Sequence, residues 1–229
     1  MRMKNKIKRL IAVILTLSSL FLSFTLTSCD RRYDEAEVIK YAESLLRQAE
    51  VLNEVYYGNG IQYMSSGYIE GSYYEADPIH LALLGFVSIE QLKSLTLNTF
   101  TLGYSKQIFA TKLSMIEDEE GIQEMTRYYQ KYDPLDGITP VCIMVYKNAK
   151  KTLKSDIEYD YSSLSVSGVK RQTVFVTVSA ILTNEDGKTQ KCNIEFRLIE
   201  EDDGWRIDNP CYANYNESLD RYNELDKNN

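Results

Sequence analysis

One histidine, four cysteines and a few carboxylates are the side chains on which chemistry would have to rest. His80 stands in Asp77-Pro-Ile-His80, just before the apolar run Leu81-Ala-Leu-Leu-Gly-Phe86. Its first reading is a structural or surface position, and its second a general base. Glu158 and Asp160 are the carboxylates best placed on a strand, on the side opposite Tyr159 and Tyr161. If that strand runs unbroken they share parity with Leu164 and Val166, which would turn them inward to line a pocket. The plain alternative is a solvated polar face. The acidic runs Glu117–Glu120 and Glu200–Asp203 lack the spaced oxygen ligands of a calcium loop. The first suits a helix start, where acids favour the dipole, and the second a hairpin end. Cys142, Cys192 and Cys211 fit no zinc spacing and, being odd in number, cannot all pair. They are expected mainly as free thiols, with Cys192 and Cys211 the pair that a turn at Asp203–Gly204 would bring side by side. Cys192 shares parity with Ile194 and Phe196, as a buried apolar residue would. No phosphate loop, nucleophile elbow or paired zinc ligands occur. No catalytic residue, metal or cofactor is therefore assigned.

Cys29 is the exception. The first nine residues carry Arg2, Lys4, Lys6, Lys8 and Arg9 and no acid, and an apolar segment follows from Leu10 to Leu26. Such a basic stretch stays on the cytoplasmic side while the apolar segment enters the membrane. The segment ends Leu26-Thr27-Ser28-Cys29, which resembles the lipobox of bacterial lipoproteins. That resemblance implies a signal peptide over 1–28, a diacylglyceryl group on the Cys29 thiol, and a tether over 29–33. The partner so implied is the membrane, and the address is the extracytoplasmic face of a cell membrane, in a Gram-positive cell. An uncleaved membrane helix is the alternative, although Thr16, Ser18, Ser19, Ser23 and Thr25 dilute the apolar run. Either reading places the rest of the chain outside the cytoplasm.

Of 26 Lys and Arg, five lie in the first nine residues; the remaining 21 face 33 Asp and Glu, a net charge of −12. So acidic a domain does not suit nucleic acid, whose phosphates need positive charge, or electrostatic docking on anionic lipid. The 18 tyrosines suit half-buried positions and contact surfaces alike.

The elements that would position these residues change period midway. Val38, Ala42, Leu45, Ala49, Leu52 and Tyr56 recur at steps of three and four, predicting a helix from Asp34 to about Tyr57 that stops at Gly58-Asn-Gly60. Residues 61–79 read as irregular. Further helices are expected from Ser88, from Ser105 to Met115, and from Glu119 to Tyr132 with Ile122, Met125 and Tyr129 on one face. Strands are expected over Val141–Tyr146, over Ile157–Val166 with Gly168 as the break, over Thr173–Leu182, over the alternating stretch around Cys192–Leu198, and at Trp205. Asn184-Glu-Asp-Gly187 and Asp203-Gly204 read as turns. Helices first and an antiparallel meander after predict one α+β domain over 34–212, with N-terminal helices packed on one face of a curved sheet, and a polar tail over 213–229.

The closing stretch Ile194-Glu-Phe-Arg-Leu198 and Asp203-Gly-Trp-Arg-Ile-Asp-Asn-Pro210, after a helix-rich first half, resembles the final hairpin of the nuclear transport factor two-like, or SnoaL-like, superfamily. The resemblance implies a cone-shaped α+β fold with a pocket, into which enzymes of the superfamily direct an Asp or His base. Phe196 and Trp205 are then candidate pocket or core residues. Trp205 and Ile207 face the core, and Arg206 and Asp208 face outward or toward a neighbouring strand. The function expected is a non-enzymatic, lipid-anchored protein binding a small ligand or an envelope component. The alternatives are a pocket-carboxylate isomerase, dehydratase or hydrolase, and an interaction module that regulates a cell-wall enzyme.

Overall fold

The first described helix, α1 (Glu35–Tyr56), buries Val38, Ala42, Leu45, Leu46, Ala49, Leu52, Val55 and Tyr56, the face that the three-and-four spacing predicts. A computed structural model describes residues 33–114, 116–117, 123–124, 126–149 and 151–215. The described residues from Glu35 onward belong to one compact unit. Helix α1 ends where Gly60 takes φ +81°, and a Cβ there would lie 2.4 Å from the Tyr128 hydroxyl, so only glycine fits.

Three shorter helices follow. In α2 (Pro78–Leu84), Asp77 caps the start by accepting from the Ile79 amide at 2.8 Å, and Gly85 ends it at φ +86°. In α3 (Ile89–Thr99), Ser88 accepts from the Gln91 amide and Gln91 reaches back to accept from the Val87 amide, close to a reciprocal capping box. Helix α4 (Leu102–Lys112) starts three residues earlier than expected, with Thr101 as its cap.

The strands are β1 (Ile69–Glu70), β2 (Tyr73–Glu75), β3 (Ile116–Glu117), β4 (Gln123–Glu124), β5 (Tyr128–Tyr132), β6 (Pro140–Tyr146), β7 (Ser155–Lys170), β8 (Thr173–Asn184), β9 (Thr189–Glu201) and β10 (Gly204–Ile207). They form two four-stranded antiparallel sheets, ordered β1-β2-β6-β5 and β10-β9-β8-β7, and the pair β3-β4. The fold is α+β, and the second sheet is the expected meander. The first sheet corrects two expectations. Residues 61–79 hold β1 and β2, and the helix expected over 119–132 is replaced by β4 and β5. Tyr128, not Tyr129, is the buried member, and its hydroxyl donates to Val55 O at 2.6 Å. Periods of three and four among Ile122, Met125 and Tyr129 were too short a run to separate helix from hairpin. Of the acidic run, Glu117 lies on β3 rather than at a helix start, and 118–120 fall outside the described residues.

The core of the second sheet is built from cross-strand pairs on one face: Val174 with Leu198, Val176 with Phe196, and Val178 with Ile194. Strand β7 departs from the reading of one regular strand ending before Gly168. Asp160 pairs with Ser179 and Ser165 with Thr177, so three extra residues sit on β7 between those pairs. The Ser179 amide donates to Ser163 Oγ in place of a ladder bond, and Ser162 is held by Asp160. A second irregularity lies between Val166 and Gly168, and the strand continues past it. Because three is odd, the inward face changes from Ile157 and Tyr159 to Leu164 and Val166.

Candidate functional site

That parity change decides the carboxylates: Glu158 and Asp160 share no face with Leu164 and are exposed, contrary to the inward placement an unbroken strand would give. Phe196 is fully buried on β9 and Trp205 is nearly so on β10, both in the core rather than on a cleft wall. Arg206 faces neither outward nor toward a neighbouring strand, the two placements expected. It is buried, donating to Leu97 O at 2.9 Å and pairing with Asp203 at 2.7 Å, because α3 covers that face of β10. Asp208 pairs with Arg197 at 3.5 Å and also accepts from Thr101. His80 Nδ1 accepts from the Gln62 amide at 3.0 Å and so fixes the segment before β1. Cys29 lies outside the described residues.

The three described cysteines are free thiols. Cys192 is half-buried rather than buried, since the core face of β9 thins out toward its start. Cys211 is fully buried beneath α1. Asn53 Nδ2 lies 3.5 Å from its sulfur, and Tyr159 donates to its carbonyl at 2.7 Å. Burial pushes the Cys211 thiol up to about 12, and Cys142 and Cys192 are raised by burial as well, which holds all three in the weakly nucleophilic protonated form at neutral pH. Lys112 sits 5.1 Å from the centre of the Tyr57 ring, lowered by burial and by Arg127. Arg127 is itself buried and donates to Tyr56 O and Gly58 O, a cation set against the C-terminal carbonyls of α1.

One concave feature of the described residues is a solvent-open cleft of about 450 Å³. Three segments build it. The strap before β7 is pinned to the end of α1 by the Thr152 and Leu153 amides, which donate to Tyr57 O at 2.9 and 2.7 Å. The chain beyond Asn209 runs back along this strap: Lys154 N donates to Asn214 Oδ1 at 2.7 Å and Tyr215 N to Ser155 Oγ at 2.7 Å. Ala213 and Asn214 are thus buried rather than part of a loose polar tail. The third wall is the β8–β9 turn, whose Asn184 Oδ1 accepts from the Asp186 and Lys188 amides, with Gly187 at φ +75°. Pairing of Ser155 with Asn184 brings strap and turn together.

The lining is Lys151, Lys154, Ser155, Asn184, Glu185, Asp186 and Tyr215. Two ammonium groups stand on the strap and two carboxylates on the turn, and none of the four forms an ion pair among the described residues. A cleft of this volume lies within the range of small-molecule sites, roughly 300–1,000 Å³, but its walls are polar where such sites are mostly apolar. The turn is legible in the sequence as Asn184-Glu-Asp-Gly187; its neighbours across the cleft depend on strand register and carry no local signal.

Among the described residues, no group of three His, Cys, Asp or Glu is arranged to hold a metal ion, and no helix is long and apolar enough to cross a membrane. Comparisons with protein-family models, with curated proteins and with solved structures found no match.

Proposed function

We propose that this chain is a lipid-anchored extracytoplasmic protein whose cone-like α+β domain binds a small polar ligand or envelope component without transforming it. The anchor rests on Leu26-Thr-Ser-Cys29 after a basic start and an apolar segment. Two acyl chains on Cys29 give a stable hold, at about 0.8 kcal/mol per buried methylene. The cone-like shape is supported by the irregularities in β7, which bend a strand, and by Tyr161, which β7 sends to Glu50 of α1. The observation that carries binding is the cleft whose four charges lack partners among the described residues. The pocket-carboxylate alternative loses its two named candidates, because Glu158 and Asp160 are exposed.

Mass spectrometry of the membrane fraction tests the anchor. The wild-type chain should begin at a diacylated Cys29, and Cys29→Ala should leave an intact, unacylated precursor. An unmodified Cys29 within a full-length wild-type chain would overturn it. A thermal-shift screen of small charged solutes tests binding, with stabilisation expected in the wild type and lost in Lys151→Ala/Lys154→Ala.

A second reading, a docking module for another envelope protein, is favoured by Ile79, Leu83, Leu135 and Ile138, which are 73%, 80%, 94% and 76% exposed on α2 and the β5–β6 turn. Cross-linking from those positions to one defined neighbour would promote it.

A further inference from the structure

We infer that the cleft between the strap and the β8–β9 turn takes a short peptide with free termini, its carboxylate held by Lys151 and Lys154 and its ammonium by Glu185 and Asp186. This deepens the binding reading above and rests on it.

Several opposite charges elsewhere in the domain close on one another. Arg47 meets Glu43 at 2.8 Å, Lys131 meets Glu70 at 3.1 Å, and Arg206 meets Asp203 at 2.7 Å. In the cleft, two cations and two anions line one concavity and remain unpaired among the described residues. The lysines belong to a strap tied down at Thr152, Leu153 and Lys154, and the acids to a turn locked by Asn184. A molecule that spans the gap with one charge of each sign gains charge-assisted hydrogen bonds at both ends. A simple anion meets repulsion from the turn and a simple cation meets it from the strap, so the lining selects against each.

Between the charged ends the cleft offers neutral polar groups, as the amides of a peptide require. Ser155 is 2% exposed, and its oxygen already accepts from the Tyr215 amide. A hydroxyl keeps one donor after accepting, and no partner among the described residues takes the Ser155 proton. Tyr215 adds a further lining side chain. The volume of about 450 Å³ suits a ligand of a few residues rather than a folded partner.

The test uses the full chain purified from membranes in detergent, with trialanine as the probe in isothermal calorimetry. Its N-acetylated, C-amidated and doubly blocked forms are titrated alongside. Free trialanine should bind, and each single block should weaken binding by about five- to tenfold, the loss of one charge-assisted contact in an open site. Lys151→Ala/Lys154→Ala should remove the penalty of amidation alone, and Glu185→Gln/Asp186→Asn that of acetylation alone. These positions lie on a loop and a turn, and unchanged far-ultraviolet circular dichroism serves as the folding control. Equal affinity for free and doubly blocked peptide would overturn the inference, as would binding that neither pair of substitutions alters, or no binding of any peptide. In the last case, solute stabilisation that the lysine substitutions abolish would leave the binding reading standing, while its absence would remove both.

Discussion

Truncating Phe196 probes the face assignment of the second sheet most directly. Its side chain is fully buried on β9 opposite Val176, with Ile194 and Leu198 beside it on the same face and Val174 and Val178 across. Phe196→Ala removes a ring that the surrounding β-branched side chains cannot replace without moving the strands, so the loss includes a cavity as well as the transfer of the ring to water. Substitutions of this kind cost about 3–5 kcal/mol, against about 5–15 kcal/mol for the whole stability of a typical domain. With a urea slope of about 2 kcal/mol/M, the midpoint should fall by about 1.5–2.5 M, and the melting temperature should drop by roughly 6–20 °C. Glu195 is the companion: it is exposed on the other face and accepts from Ser167 at 2.8 Å, so Glu195→Ala should cost no more than about 0.5–1 kcal/mol. Urea titration of both variants, followed by Trp205 fluorescence and by circular dichroism, is the assay. A Phe196→Ala loss under about 1 kcal/mol, or an equal loss in Glu195→Ala, would refute the assignment of faces.

Gly60→Ala should destabilise by more than the roughly 1–2 kcal/mol of its left-handed backbone, because the new Cβ meets the Tyr128 hydroxyl and displaces its bonds to Val55 and Ile61; chemical denaturation measures this, and a neutral outcome would show that the end of α1 is laxer than described. Burial raises the Cys211 thiol to about 12 from an ordinary value of 9, so between those values the unfolded chain releases a proton that the folded one keeps. Stability from this group is therefore intact below pH 9 and declines as pH rises toward 12, by up to about 1.4 kcal/mol per unit. Cys211→Ala should show a shallower decline in alkaline denaturation, and equal slopes would contradict the assignment. Glu158→Gln should leave stability within about 0.5 kcal/mol and peptide affinity unchanged, since the carboxylate stands in solvent; a loss of binding in calorimetry would return it to a pocket.

What was legible in the sequence is what repeats locally. The face of α1, the Ser88 cap, the alternation of β8 and β9 and the turns at Asn184 and Asp203 each follow from neighbours a few residues apart, because helix and strand periods act at that range. The lipobox resemblance at Cys29 is of the same kind. Tertiary structure decided the rest. Three extra residues in β7 are invisible as a pattern, since they matter only against a partner strand, yet they turn Glu158 and Asp160 to solvent. Arg206 has the parity of a surface residue but is covered by α3, and Tyr128 rather than Tyr129 faces α1 because Val55 O waits there to accept its hydroxyl proton. The cleft joins residues 151–155, 184–186 and 215, which strand register and two backbone ties bring together. Contacts at such separation are fixed by which surfaces bury one another and leave no trace in local spacing.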